Sequence, residues 1–337
     1  MRKVFYTHSK ITDLLTEKLL EDTEMNSSTV ILARGSVIEN KSNASIHDSS
    51  ELKKSLRDWH KQSVLRIRKV IAQELLKITQ GEEFILYTPT LGIPLIRALQ
   101  SSPLCKGYYL MEEGTLSHLE KGVIADRFKG KTFEIIVKEG VKAGLYRLHF
   151  NKWPANDCTS QNEKGYRGAF YIFDKAFPKH QKKQQLVIDW SREMAKLSLE
   201  KVEALVVLDA CPVAGYSNAQ LYYQYLHEEV CSIIKQHHLT KVHYKLHPEF
   251  KADHFIESIP PEERSLYVQL NSSVCLESLC MRDSPIIIAS VSTIYYMFRS
   301  RNPYSVSIFP KLLATDQDTR KFLNSRAKML KQYLTPQ

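Results

Sequence analysis

The apolar positions of this chain follow two rhythms. Short runs rich in β-branched and aromatic residues recur at KVFYT near residue 5, STVILAR near 31, EFILYT near 85, KGYYLME near 109 and KTFEIIV near 134, and their length and composition predict strands. Between them the apolar residues fall three and four apart. The clearest case is 52–80, where Leu56, Trp59, Val64, Ile67, Val70, Ile71, Leu75 and Ile78 line one face of a long helix or of two shorter ones. Strands separated by helices predict βαβ units and a largely parallel sheet. The alternation begins afresh with EALVVLD near 206, a polar helix over roughly 218–238, KVHYKL near 244, SLYVQL near 267, a short helix from about 274, PIIIAS near 287 and SVSIF near 307. A closing helix is predicted over about 316–334.

Two such series in 337 residues predict two doubly wound α/β domains, facing each other across a cleft. Between the series lies 151–185, rich in Asn, Lys, Gly and Tyr and holding the apolar patch AFYIF. The boundary is placed at its far end, giving domains 1–184 and 185–337. A composition of 43% hydrophobic and 25% charged residues excludes a disordered or fibrous chain.

Charge and cysteines narrow the setting. The six cysteines, at 105, 158, 211, 231, 275 and 280, include no CxxC pair and no Cys/His spacing suited to zinc, so reduced thiols, no metal and a cytoplasmic location are expected. No basic leader with an apolar segment opens the sequence, and no run of about 18 apolar residues predicts a spanning helix. The net charge of +10 favours an anionic partner. Clusters at 129–131, at 179–183 (KHQKK) and along 320–331 add an anionic membrane surface to the expected contacts, reached peripherally from the inner face of the cell membrane.

Ligands of doubly wound sheets gather beyond the carboxyl ends of strands, and four groups of residues stand there. Glu112, Glu113 and Gly114 end the strand near 109. Two neighbouring carboxylates partly removed from water oppose each other's ionisation, which suits one of them to be a general base, and the glycine allows a sharp turn. Lys245, His247 and Pro248 end the strand near 244, where an imidazole can meet charge growing on a leaving phosphate. His243 competes with His247 at lower rank. Glu277, at the start of a short helix, is a carboxylate able to hold ribose hydroxyls. Ser290, Ser292 and Thr293 lie between a strand and the next helix, where hydroxyls and free N–H groups seat phosphate. Any of these, taken singly, is as well explained by a solvated loop, a strand-end histidine or a helix cap.

In this order the four groups resemble the motifs of the bacterial sialyltransferases with the GT-B fold. That family has an acidic D/E-D/E-G motif in its first domain, then an HP motif and a paired Ser/Thr motif in its second. The resemblance implies Glu113, or else Glu112, as the base that deprotonates the acceptor, and His247 of His247-Pro248 as the group assisting departure of CMP. It implies Ser292-Thr293 as the phosphate seat and Glu277 as the ribose ligand. Two features depart from the commoner pattern: the acids are Glu-Glu, and the hydroxyl pair is Ser-Thr. The implied reaction is an inverting, metal-independent transfer of sialic acid from CMP-sialic acid to a sugar hydroxyl of a glycan or glycolipid, such as lipooligosaccharide or capsule, without a cofactor.

Two other readings fit less of the chain. A related enzyme could transfer another CMP-activated nonulosonic acid or Kdo. A basic nucleic-acid-binding protein would account for the +10 charge and for Tyr166, Arg167, Phe170 and Tyr171, but has no use for acids at strand ends. Nucleic acid is therefore not an expected partner. Thr88, Pro89, Thr90 and the segment after Gly114 are expected as walls of the acceptor site, and His118 is read as an exposed helix residue, with contact to the acceptor as its alternative.

Overall fold

The computed structural model describes residues 1–21, 28–32, 38, 44–49, 56, 59–118, 133–155, 157–247 and 253–321. The chain divides into two compact units, Met1–Ile188 and Asp189–Gln337.

The first unit is built on one parallel sheet of β1 (Arg2–Thr7), β2 (Ser28–Leu32), β3 (Ser45–Asp48), β4 (Phe84–Thr88), β5 (Cys105–Met111), β6 (Tyr166–Tyr171) and β7 (Lys183–Gln185). Their order is β3-β2-β1-β4-β5-β6-β7. Winding runs outward from β1 to β3, then restarts beside β1 with β4, so the topological switch lies between β1 and β4. β4, FILYT, is buried along its whole length, as expected of a parallel strand covered on both faces. On one face Val4, Leu86, Tyr108, Leu110 and Ala169 pack with Ile96 and Leu99 of the helix Pro94–Ser101. On the other, Phe5, Tyr87, Tyr109 and Phe170 form a row across four strands, the first three rings stacked and the last tilted, with ring centroids 4.5, 5.2 and 5.1 Å apart.

The second unit repeats the plan. β8 (Ala204–Val207), β9 (Val242–Lys245), β10 (Tyr267–Gln269), β11 (Ile286–Ala289) and β12 (Val306–Ser307) form a parallel sheet of order β10-β9-β8-β11-β12, with its switch between β8 and β11. The helix Ala219–His237 packs Tyr222, Leu226, Val230 and Ile233 into the core with Val206, Tyr244 and Ile288. It starts where Asn218 accepts the Leu221 N–H and stops at His238, whose left-handed backbone closes the last turn.

Both units are therefore doubly wound parallel α/β structures. Three local expectations fail. The run KTFEIIV is no strand but the start of the helix Phe133–Phe150. Its β-branched residues imitate a strand, while Tyr146 and Phe150, one turn apart, pack on Ile67, Ile71 and Ala98. The patch AFYIF does not lie in a connection: Ala169–Tyr171 end β6 inside the first sheet, and Ile172 and Phe173 follow it directly. The first unit also extends past the boundary at 184, because Lys183–Gln185 pairs with β6 from Ala169 to Tyr171. Of the closing segment, 322–337 lies outside the described residues, as does the 129–131 cluster. No described helix is long and apolar enough to cross a membrane.

Candidate active site

At the switch of the first sheet, His8 follows β1 and Glu113 follows β5, on either side of the end of β4. His8 is fixed by the cap of the next helix: the N–H groups of His8 and Ser9 donate to Thr12 Oγ1 at 3.1 and 3.0 Å. Its Nε2 lies 2.5 Å from Glu113 Oε1, a bond in which the ring N–H donates to the carboxylate. The Glu113 side chain is 22% exposed and that of His8 only 7%. Glu113 is held from behind as well, its N–H donating to Ser117 Oγ at 2.9 Å in the tight turn through Gly114 and Thr115–His118.

The two acids do not share a site. Neighbours in extended chain point opposite ways, and Glu112 turns inward, fully buried. Its Oε2 accepts the N–H groups of Ile172 and Phe173 at 2.6 and 3.0 Å, clipping the end of β5 to the end of β6, while His118 Nε2 lies 2.9 Å from Oε1. His118, read as an exposed helix residue or else an acceptor contact, is instead a buried partner of Glu112. Thr88 and Thr90 are buried too, with their hydroxyls spent on their own loop: Thr88 Oγ1 donates to the Thr90 carbonyl and Thr90 Oγ1 accepts the Gly92 N–H.

In the second unit the expected residues collect at the C-terminal edge of the sheet, after β9 and β11, which flank β8. His247 is half-buried two residues beyond β9, and Pro248 lies outside the described residues. Lys245 donates to the Val274 carbonyl, tying the end of β9 to the start of the helix Leu276–Asp283. Burial holds its ammonium below the usual lysine range, and the nearby Glu277 carboxylate opposes that shift. Glu277, half-buried, accepts the Cys275 thiol at 3.4 Å. After β11, Ser290 Oγ is buried with no hydrogen-bond partner among the described residues. Ser292 starts the helix Thr293–Phe298 without capping it through its own side chain, and Thr293 is half-buried. Hydroxyls and first-turn N–H groups thus stand near the end of β11. His243 is buried in β9 and does not reach this edge.

Two participants were passed over in the sequence. His8 directly follows a strand, and Asp209 ends EALVVLD. Asp209 Oδ1 accepts the Cys211 N–H at 2.8 Å and Oδ2 the Val291 N–H at 3.0 Å, so one buried carboxylate joins the loops after β8 and β11 across the switch. Burial raises its pKa, and those N–H bonds pull the other way. The signal for both was an uncapped polar residue at the end of an apolar run.

No protein-family model matches the chain, and no curated protein sequence matches it. What the geometry offers is a partly exposed carboxylate steadied by an imidazole in one unit, and a strand edge lined with hydroxyls, a histidine and an acid in the other. The first can take a proton from a hydroxyl. The second can hold an anionic, ribose-bearing group.

Proposed function

We propose that the protein is an inverting sialyltransferase of GT-B architecture, which moves sialic acid from CMP-sialic acid to a sugar hydroxyl of a surface glycan with no metal in the chemical step. The observation that carries this reading is the Glu113–His8 pair at the switch of the first sheet. The bond to His8 fixes one carboxylate oxygen and leaves Oε2 to receive a proton.

In the proposed step the acceptor hydroxyl gives its proton to Glu113, and its oxygen forms a bond to the anomeric carbon of sialic acid. The bond from that carbon to the phosphate oxygen breaks, and its electron pair leaves with CMP. One displacement inverts the anomeric centre through an oxocarbenium-like transition state. His247, the hydroxyls of Ser292 and Thr293 and their free N–H groups stabilise charge growing on the phosphate, and Glu277 takes the ribose hydroxyls. Lys245 and Asp209 position these loops. The motif resemblance supports the same assignment. The basic surface suits an acidic donor and an enzyme held peripherally at an anionic membrane, where glycolipid acceptors reside.

The test is incubation with CMP-sialic acid and a galactose-terminated acceptor in EDTA, following CMP release and product mass. Transfer should survive EDTA and fall by at least about 100-fold in Glu113→Gln and in His247→Ala. A panel containing CMP-linked nonulosonic acids and Kdo separates the donors. Transfer of one of those instead would keep the class and change the sugar, and no turnover of any CMP-sugar would sink the proposal.

A further inference from the structure

Away from both sites, the helix Ala219–His237 carries His227 and Cys231 four residues apart and therefore on one face. They meet Glu263, from the 3-10 turn Pro261–Leu266 that leads into β10. One potential ligand atom of each residue lies within 4.8 Å of those of the other two, and all three residues are half-buried. His227 Nε2 is 2.7 Å from Glu263 Oε2 and 3.7 Å from Cys231 Sγ. The other ring nitrogen, Nδ1, lies 2.6 Å from the Tyr267 hydroxyl.

We infer that His227, Cys231 and Glu263 form a zinc site. Imidazole, thiolate and carboxylate are the donors zinc takes, and a tetrahedral ion with bonds of about 2.05 Å to nitrogen and about 2.3 Å to sulfur separates those atoms by about 3.6 Å. Nε2 and Sγ are 3.7 Å apart, close to that edge, but Sγ also lies 3.8 Å from Nδ1, beside the ring, so the Cys231 thiol must turn about its Cα–Cβ bond to stand beyond Nε2. To complete the set, Glu263 must withdraw from its hydrogen bond by about half an ångström, a small movement for a side chain that is 40% exposed. Water fills the fourth position. Tyr267 supplies what ligating histidines require at their second nitrogen. Its hydroxyl oxygen, 2.6 Å away, is able to accept an N–H from Nδ1.

The protons balance simply. Without metal, Nε2–H donates to Glu263; with metal, Nε2 binds the ion, the ring proton moves to Nδ1 and the Cys231 thiol releases its proton to solvent. One proton leaves for each ion bound, so affinity increases with pH. Glu263 and Tyr267 lie at the start of β10, whereas the candidate donor residues lie beyond the ends of β9 and β11. The ion would therefore brace a helix against the opposite edge of the sheet and take no part in transfer. This inference stands independently of the proposed function.

The full chain, stripped of metal with EDTA and desalted, would be titrated with Co2+ and then Zn2+. One equivalent of Co2+ should give a thiolate-to-cobalt charge-transfer band that Zn2+ abolishes. Zn2+ in excess should raise Tm by at least about 2 °C. Cys231→Ser should lose the band and Cys105→Ser retain it. Tyr267→Phe should bind about 10- to 100-fold more weakly. Should Cys231→Ser fail to fold, the more exposed Glu263→Gln serves, with an expected loss of at least about tenfold in affinity. Absence of the band, a band unchanged in Cys231→Ser, full affinity in Glu263→Gln, or an unmoved Tm would each overturn the site.

Discussion

Glu112 and Glu113 are adjacent, chemically identical and set to different work. Replacing Glu112 with alanine strands the Ile172 and Phe173 N–H groups and His118 in a place without water, and should cost about 3–5 kcal/mol of stability. Glu113→Gln keeps the shape of a partly exposed side chain and should stay within about 1 kcal/mol of the parent. Urea unfolding of both variants separates the two roles, and equal losses would contradict them. Asp209→Ala leaves the Cys211 and Val291 N–H groups unpaired and should cost about 2–4 kcal/mol. The acidic pair was legible in the sequence because Glu-Glu-Gly closes an apolar run. Which acid faces outward was not, since that depends on β6, 60 residues away at Ile172. His8 and Asp209 stood in view as strand-end residues, yet their meaning comes from partners that the sheet order brings together.

Among the elements, strands that are apolar from end to end, such as FILYT and IIIA, announced themselves, and so did the helix capped by Asn218. The failures share one cause. β3 (SIHD) and β6 (YRGAFY) are too polar or too short to signal, and owe their form to pairing with neighbours, while FEIIV looks like a strand until its later turns pack. The helical state of Phe133–Phe150 has a direct test. Gly140 and Gly144 lie inside it, and a Cβ at either meets nothing within 4 Å. Alanine at each should therefore stabilise the protein by about 0.5–1 kcal/mol. Gly107→Ala should do the reverse, because its φ of +143° suits glycine and a Cβ there would approach Arg167 Nε to 2.5 Å and the Gly165 carbonyl to 2.7 Å. Thermal melts of the three variants read both effects, and a loss at Gly140 and Gly144 would argue against the helix.

Taken as a whole, the molecule carries +10 and twelve histidines, so acid adds positive charge to a chain already repelling itself. Within that general response each unit holds a histidine with a distinct contribution. His180 in the first unit, whose Nδ1 lies 2.7 Å from the Tyr166 hydroxyl, is held below the usual histidine range mainly by burial, with Lys183 adding to the effect. His243 in the second is depressed by burial and then by Lys241. Below about pH 6.5 the unfolded chain takes up protons at both positions while the folded chain still resists them, so stability rises with pH through this window. The contribution is complete above about 6.5 and is lost as pH falls through the lower folded-state values. Urea unfolding between pH 7.5 and 5 should show that loss. His180→Gln and His243→Gln should each flatten the slope, and the double variant more than either, since the two side chains belong to separate cores and their effects add. The repulsion of the whole surface remains in every variant, so a double variant as acid-sensitive as the parent would assign the response to net charge alone.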